Sequence, residues 1–178
     1  MSIDSGTNTK KFHLPEKEIN IYVAIIVISD SLSKNKDNWR EKDKSGKIAE
    51  SLLSKRPFTI STIEVIPDDI ATIQTKIKNL IEVENINFIL TIGGTGISLR
   101  DVTIEAIRFL LDKELPGFGE LFRLKTFEEK GTISIMTRVF AGVKDKCLIV
   151  CLPGSPSAVN LGITLIEPEI QHILNLRK

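Results

Sequence analysis

Three groups of residues in this chain have the types and spacing that chemistry needs. The first is a glycine cluster. The apolar run Phe88-Ile89-Leu90-Thr91-Ile92 breaks into Gly93-Gly94-Thr95-Gly96, followed by a charged turn with Arg100 and Asp101 and a helix-like pattern from Val102. A strand opening through glycines toward a helix presents backbone N–H groups at a helix N-terminus, where phosphates and other anions are held. The plainer alternative is a tight strand-to-helix connection without a ligand. No Gly-Lys-Ser/Thr follows the loop and it is not a GxGxxG fingerprint, so the familiar modes of ATP and NAD binding are unsupported. The segment points to a phosphate-bearing substrate.

The second group is acidic. Asp101 precedes the predicted helix, where it suits a helix N-cap or a Mg²⁺ ligand facing loop-held phosphates, and the two duties are compatible. Asp68 and Asp69 follow Pro67 at the end of a predicted strand, and Asp69 reads as the cap of the next helix. In a parallel sheet, Asp68 and Asp101 leave the same edge, where they can share a divalent ion that screens a triphosphate. The third group is Leu152-Pro153-Gly154-Ser155-Pro156. Ser155 as N-cap with Pro156 at the first helical position is a complete structural explanation. The functional reading adds an anion seat at that helix start. Ser29-Asp30-Ser31 and Asp43-Lys44-Ser45-Gly46 offer further polar groups on the same rim.

These residues need elements to place them. Ile21 to Ile28 is a continuous, largely β-branched run, as in a strand buried on both faces. Ser29 to Asp43 reads as a long polar loop, with the charges from Lys34 to Lys47 solvated and Trp39, the single Trp, anchoring it on the surface or stacking on a flat ring. Lys44 to Arg56 has helical spacing, Thr59 to Ile66 alternates as a strand, and a helix after Asp69 carries the stripe Ile70, Ile73, Ile77, Leu80 and Ile81. Asn87 to Ile92 is a third strand and Val102 to Leu111 a third helix. Pro116-Gly117-Phe118-Gly119 leads into an amphipathic stretch from Glu120 to Glu128, in which Phe118, Leu121 and Phe122 suit a subunit contact or the core. Thr132 to Thr137 is a short strand or a helix start. Lys146 to Leu152 is a buried strand, and a last helix runs through Leu174. Alternating strands and helices predict an α/β fold, a three-layer α/β/α sandwich with a mainly parallel sheet. Functional loops then gather at the carboxyl ends of the strands, after Ile28, Ile66, Ile92 and Leu152.

The bulk properties exclude several classes. The 178 residues fit one domain, here residues 21–178 behind a polar arm of residues 1–20. With 24 basic and 23 acidic side chains, the chain lacks the basic excess of a nucleic-acid binder. No apolar run approaches the ~20 residues that cross a bilayer, and the polar N-terminus is no secretory signal. Cys147 and Cys151, four apart in one strand, lie about 13 Å apart at ~3.3 Å per residue, too far for a disulfide. They read as buried apolar residues of a cytoplasmic protein. His13 and His172 read as surface residues.

Together these segments resemble the MoaB/MogA family of molybdenum-cofactor biosynthesis proteins. The matching pieces are Ile28-Ser29-Asp30, Asp43-Lys44-Ser45-Gly46, Pro67-Asp68, the run GGTGISLRDVTIEA from Gly93 to Ala106, PGFGELFR from Pro116 to Arg123, Thr137-Arg138 to Ala141-Gly142, and LPGSPSAV from Leu152 to Val159. The resemblance implies an α/β/α fold and a homo-oligomer, a trimer or a hexamer of two trimers. It also implies molybdopterin adenylyltransferase activity. There the terminal phosphate of the pterin dithiolene attacks the α-phosphate of ATP with Mg²⁺ present, and the adenylylated product passes to a larger enzyme that inserts molybdate or tungstate. Carried over by position, the functional carboxylates are Asp68 and Asp101, as Mg²⁺ ligands. The phosphate loops are Gly93, Gly94, Thr95 and Gly96, and Pro153, Gly154 and Ser155, with Ser29 and Asp30 on the rim. Arg100 meets a phosphate or faces solvent. Thr137 stands where Ser is usual, and Ile104 where many members have Pro. A pterin-binding protein that stores or delivers molybdopterin without turnover is the rival reading.

Overall fold

A computed structural model describes residues 18–35, 37–55, 57–82 and 86–177. His13 and most of the polar arm lie outside them. Among the described residues, six strands, β1 (Ile21–Ile28), β2 (Phe58–Ile66), β3 (Phe88–Ile92), β4 (Lys113–Glu114), β5 (Phe140–Lys144) and β6 (Cys147–Leu152), form one sheet in the order β2-β1-β3-β6-β5-β4. The first four strands of that order run parallel. β5 returns antiparallel to β6, and β4 runs antiparallel to β5. The turn between β5 and β6 holds two residues, Asp145 and Lys146, with Asp145 at φ 50°. So short a connection can only reverse the chain.

The helices are α1 (Asp30–Ser33), α2 (Trp39–Lys42), α3 (Lys44–Leu52), α4 (Ile70–Glu82), α5 (Thr103–Arg108), α6 (Pro116–Lys130) and α7 (Pro156–Asn175). They cover both faces of the sheet, as the three-layer reading requires. Strand side chains alternate. Ile21, Val23 and Ile25 of β1, Phe88, Leu90 and Ile92 of β3, and Leu148, Val150 and Leu152 of β6 pack into one core with α3, α6 and α7. Ala24, Ile26 and Ile28, with Ile89, Ile149 and both cysteines, pack into the other with α4 and α5. Cys147 and Cys151 therefore share one face, as their spacing predicts, and neither is in a disulfide. On α4, Ile73, Ile77 and Leu80 form the buried stripe, while Ile70 is exposed. Among the described residues no helix is long and apolar enough to cross a membrane.

Several elements differ from the sequence reading. The stretch from Ser29 to Asp43 holds the single-turn helices α1 and α2 rather than one loop. Asp43 and Ser45 are buried, so that charge run is only partly solvated. Arg40 lies 5.4 Å over the Trp39 ring and bonds Glu50, so Trp39 stacks on its own neighbour. α6 starts at Pro116, before the amphipathic stretch, because proline suits the first helical turn. Phe118 and Phe122 are core residues, while Leu121 stays exposed. Thr132 to Thr137 falls largely in a 3-10 helix, Gly131–Met136. His172 is half-buried in α7 rather than on the surface. The sequence pattern carries little signal for β4 and β5, since β4 is only two residues long and β5 is interrupted by Gly142, which weakens a strand pattern.

Candidate functional site

The carboxyl ends of β1, β2, β3 and β6 all lie on one edge, and their loops meet there. The glycine loop after β3 is shaped by two left-handed glycines and held by three hydrogen bonds. Gly93 and Gly94 take φ of 107° and 61°, conformations that favour glycine. A Cβ on Gly94 would stand 2.7 Å from both carboxylate oxygens of Asp68, and one on Gly96 would stand 2.6 Å from Asp101 Oδ2. Glycine here is therefore what lets the two carboxylates close on the loop. Gly93 donates its N–H to Leu152 O at 2.9 Å, tying the loop to the end of β6. Thr103 donates its hydroxyl to Gly93 O and its N–H to Gly94 O, both at 3.0 Å. The N–H groups of Gly94, Thr95 and Gly96 have no acceptor among the described residues. These three residues line a cleft of about 450 Å³ with Asp101, Ile133, Met136, Thr137, Arg138, Pro153 and Gly154. Unspent donors along such a wall suit an anionic ligand.

Asp68 closes on this loop at Gly94 and Asp101 at Gly96. Asp68 Oδ1 accepts the Val102 N–H at 3.3 Å, and the Asp68 N–H donates to Asp30 Oδ1 at 3.1 Å. Burial raises the Asp68 pKa, and the negative neighbours Asp101, Asp30 and Glu105 add to the rise against the Val102 hydrogen bond. Asp101 is not the cap of α5. Val102 holds that position, and Asp101 Oδ2 instead accepts the Ser98 N–H at 2.9 Å and closes the turn below Arg100. The reason is reach, since the cap site is one residue further on and the Ser98 turn draws the carboxylate back. Asp69 does cap its helix, accepting from Thr72 N–H and hydroxyl.

The rim residues fall as expected, with different duties. Ser29 caps α1 through the Leu32 N–H, and Asp30 Oδ2 pairs with Arg100 at 3.1 Å. Arg100 is 78% exposed and faces solvent, tied to the rim rather than lining the cleft. Ser155 caps α7 through the Ala158 N–H at 3.3 Å. Ser45 donates to Gly154 O at 2.7 Å, so the segment before α3 braces the loop after β6. A second cleft of about 310 Å³, lined by Ser29, Lys42, Lys44 and Ser45 among others, shares Gly93 and Gly154 with the first. Those two glycines are the wall between them.

Sequence reasoning gave no site role to Thr103 or Arg138. A threonine in the first turn of a helix carries no distinguishing pattern, and only the buried contact to Gly93 reveals it. Arg138 arrives by another route. Phe140 of β5 pairs with Cys151 near the end of β6, so the amino end of this antiparallel strand meets the functional edge. Counting only carboxyl ends of strands misses it.

Among the described residues, no group of three or more His, Cys, Asp or Glu side chains is arranged to hold a metal by itself. Asp68 Oδ2 and Asp101 Oδ1, however, lack hydrogen-bond donors among the described residues. Two carboxylates with free oxygens, crowded by like charge, suit Mg²⁺, which takes one or two protein carboxylates and completes its shell with water and substrate phosphates.

Comparison with known proteins agrees with this geometry. Residues 24–172 match the family described as "Probable molybdopterin binding domain". The molybdenum cofactor biosynthesis protein B of Staphylococcus epidermidis is 43% identical over 159 residues, covering 86% of this chain and 87% of the relative. That of Halalkalibacterium halodurans is 40% identical over 164 residues, covering 91% and 93%. The crystal structure of the tungsten cofactor synthesizing protein MoaB from Pyrococcus furiosus superposes with TM-score 0.79 at 34% identity, covering 89% of this chain and 97% of that one. A MogA structure superposes with TM-score 0.78 at 27% identity, covering 88% and 99%. The chain belongs to the MoaB/MogA family of molybdenum-cofactor biosynthesis proteins.

Proposed function

We propose that this protein is a Mg²⁺-dependent molybdopterin adenylyltransferase acting in molybdenum or tungsten cofactor biosynthesis. The terminal phosphate oxygen of molybdopterin attacks the α-phosphorus of ATP. The bond from that phosphorus to the β-phosphate bridge breaks, and pyrophosphate leaves. One observation carries the reading: unspent N–H groups of Gly94, Thr95 and Gly96 line a cleft that two partly unsatisfied carboxylates approach. Joining two polyanions is mostly a task of alignment and charge neutralisation. The loop N–H groups hold phosphoryl oxygens, and Thr103 fixes the loop in that posture. The wall of Gly93 and Gly154 has a cleft on either side, which suits a reaction of two substrates. Asp68 and Asp101 would hold Mg²⁺, which when bound neutralises charge on the phosphates.

The decisive test is to incubate the purified protein with molybdopterin and MgATP and to measure adenylylated pterin and pyrophosphate. Binding of molybdopterin without turnover would instead make this a carrier protein. The reaction belongs to the cytoplasm, and its product is suited to hand-over to a separate metal-insertion enzyme. We also propose a homo-oligomer, supported by the exposed apolar side chains Leu121, Leu124 and Phe127 of α6 and Ile133 and Ile135 beyond it. Light scattering on the full chain separates monomer, trimer and hexamer. A monomer at micromolar concentration would remove this part of the proposal.

A further inference from the structure

The pair Thr137-Arg138 lines the cleft, yet the adenylyl-transfer reading gives it no duty. Of the residues lining that cleft, Arg138 is the sole cation among those described. Its partner is Glu105 of α5, whose Oε1 accepts from Arg138 Nη2 at 2.5 Å. A guanidinium carries five N–H donors in a planar fork. Glu105 takes one of them, and no other hydrogen bond of Arg138 falls on the described residues. The side chain is 31% exposed, so the remaining donors are within reach of a ligand in the cleft. Arg100, by contrast, is committed to Asp30 on the outer rim. The charge of the cleft is otherwise set by Asp101. A phosphoryl group seated on the N–H groups of Gly94 to Gly96 would therefore meet one full positive charge from the lining of the cleft.

We propose that Arg138 is a phosphoryl-binding residue of this cleft and that Glu105 is the positioning residue that holds its guanidinium toward the ligand. The inference deepens the adenylyltransferase reading and rests on it for the identity of the phosphate, which belongs to the pterin or to the nucleotide. Glu105 sits in the first turn of the helix that follows the glycine loop and is close enough to act on Asp68. The anchor of the arginine is thus fixed to the same short helix whose N-cap residue, Val102, donates its N–H to Asp68. A lysine at position 138 would keep the charge but lacks the planar fork that can serve Glu105 and a phosphate together.

The test is titration calorimetry of the full-length protein with MgATP and, separately, with molybdopterin, for wild type, Arg138→Gln and Arg138→Lys, beside thermal melting of each. We expect Arg138→Gln to bind one of the two ligands about 10- to 100-fold more weakly, the range of a lost charge-assisted hydrogen bond. The ligand affected names the source of the phosphate. Arg138→Lys should recover part of the loss, and the melting temperatures should stay close to wild type. Wild-type affinity of Arg138→Gln for both ligands would overturn the proposal, as would equal losses in both variants accompanied by a fall in melting temperature. Both arms read binding, so they stand even if the wild type proves unable to transfer adenylate. In that case the enzymatic reading fails while the assignment of Arg138 is still decided.

Discussion

The parallel half of the sheet and its antiparallel extension treat carboxylates in opposite ways. On the rim of the parallel half, Asp68 is raised in pKa by burial and by the neighbouring Asp101, Asp30 and Glu105. At the extension, Asp112 is held down to about 2, first by its hydrogen bond from Lys144 and then by the Asp145 N–H, with Arg177 also donating. Asp112 joins the end of α7 to the turn between β5 and β6. One aspartate is kept under charge stress with a free oxygen, while the other is saturated with donors. Electrostatic frustration of this kind marks functional sites more often than structural ones. The difference separates the part of the molecule that binds from the part that braces it.

The largest effect on this comparison should come from Asp101→Asn. If the rim carboxylates hold Mg²⁺ between phosphates, turnover falls on the order of 10²- to 10³-fold, equivalent to several kcal/mol of lost transition-state stabilisation, while molybdopterin still binds. Single-turnover assays beside calorimetry check this, and unchanged turnover would refute the metal role. Next in size is Gly94→Ala. A side chain at φ 61° that also meets the Asp68 carboxylate should cost about 2 kcal/mol in urea unfolding. Gly117→Ala in α6, where nothing lies within 4 Å, should cost nothing. Equal costs at the two sites would mean that the loop is not held tightly.

Two pH experiments sharpen the contrast. Asp112 has a folded pKa of about 2 against a reference of 3.8, so its ionised form favours the fold above about pH 4. That contribution is lost as the pH falls through about 2. Asp112→Asn should therefore melt below wild type at pH 6, and the gap should close between about pH 4 and 2. Asp68 has the opposite sign. Its raised pKa means that the ionised form opposes folding above that pKa, and protonation on lowering the pH relieves the penalty. Asp68→Asn should melt above wild type at pH 7 while losing turnover, and its advantage should shrink in acid. A destabilised Asp68→Asn would show that the rim carboxylate is structural. The smallest effect concerns the thiols. Burial pushes Cys147 and Cys151 up to about 12, so neither should react with a thiol reagent at pH 8 until the protein is unfolded. Reaction in the native state would mean that the core beneath β6 opens readily.

Much of the fold was legible because its signals are local. A run such as IYVAIIVI has no polar face, so it needs cover on both sides, and the two cores flanking β1 supply it. The stripe Ile73, Ile77 and Leu80 needs a helix to make it one face. The glycine loop and Leu152 to Pro156 were legible for the same reason, since glycine, serine and proline carry backbone instructions that neighbours rarely override. The extension was not legible. β4 is two exposed residues whose strand character comes only from pairing with Val143 and Gly142.

By itself, then, the sequence determined the layers, the parallel strands and the loops on their carboxyl edge, because periodicity and turn chemistry act within a few residues. Tertiary structure decided what those loops do to one another. It drew Asp101 back to the Ser98 turn, left the neighbouring cap position to Val102, and brought the Asp68 oxygen to the Val102 N–H. It seated Thr103 under Gly93 and delivered Arg138 to the cleft through the amino end of an antiparallel strand. The Asp68 and Arg138 placements depend on contacts between segments far apart in the chain, while the Asp101 and Thr103 contacts, three and ten residues apart, depend on how the loop folds back on itself, and no residue pattern encodes either.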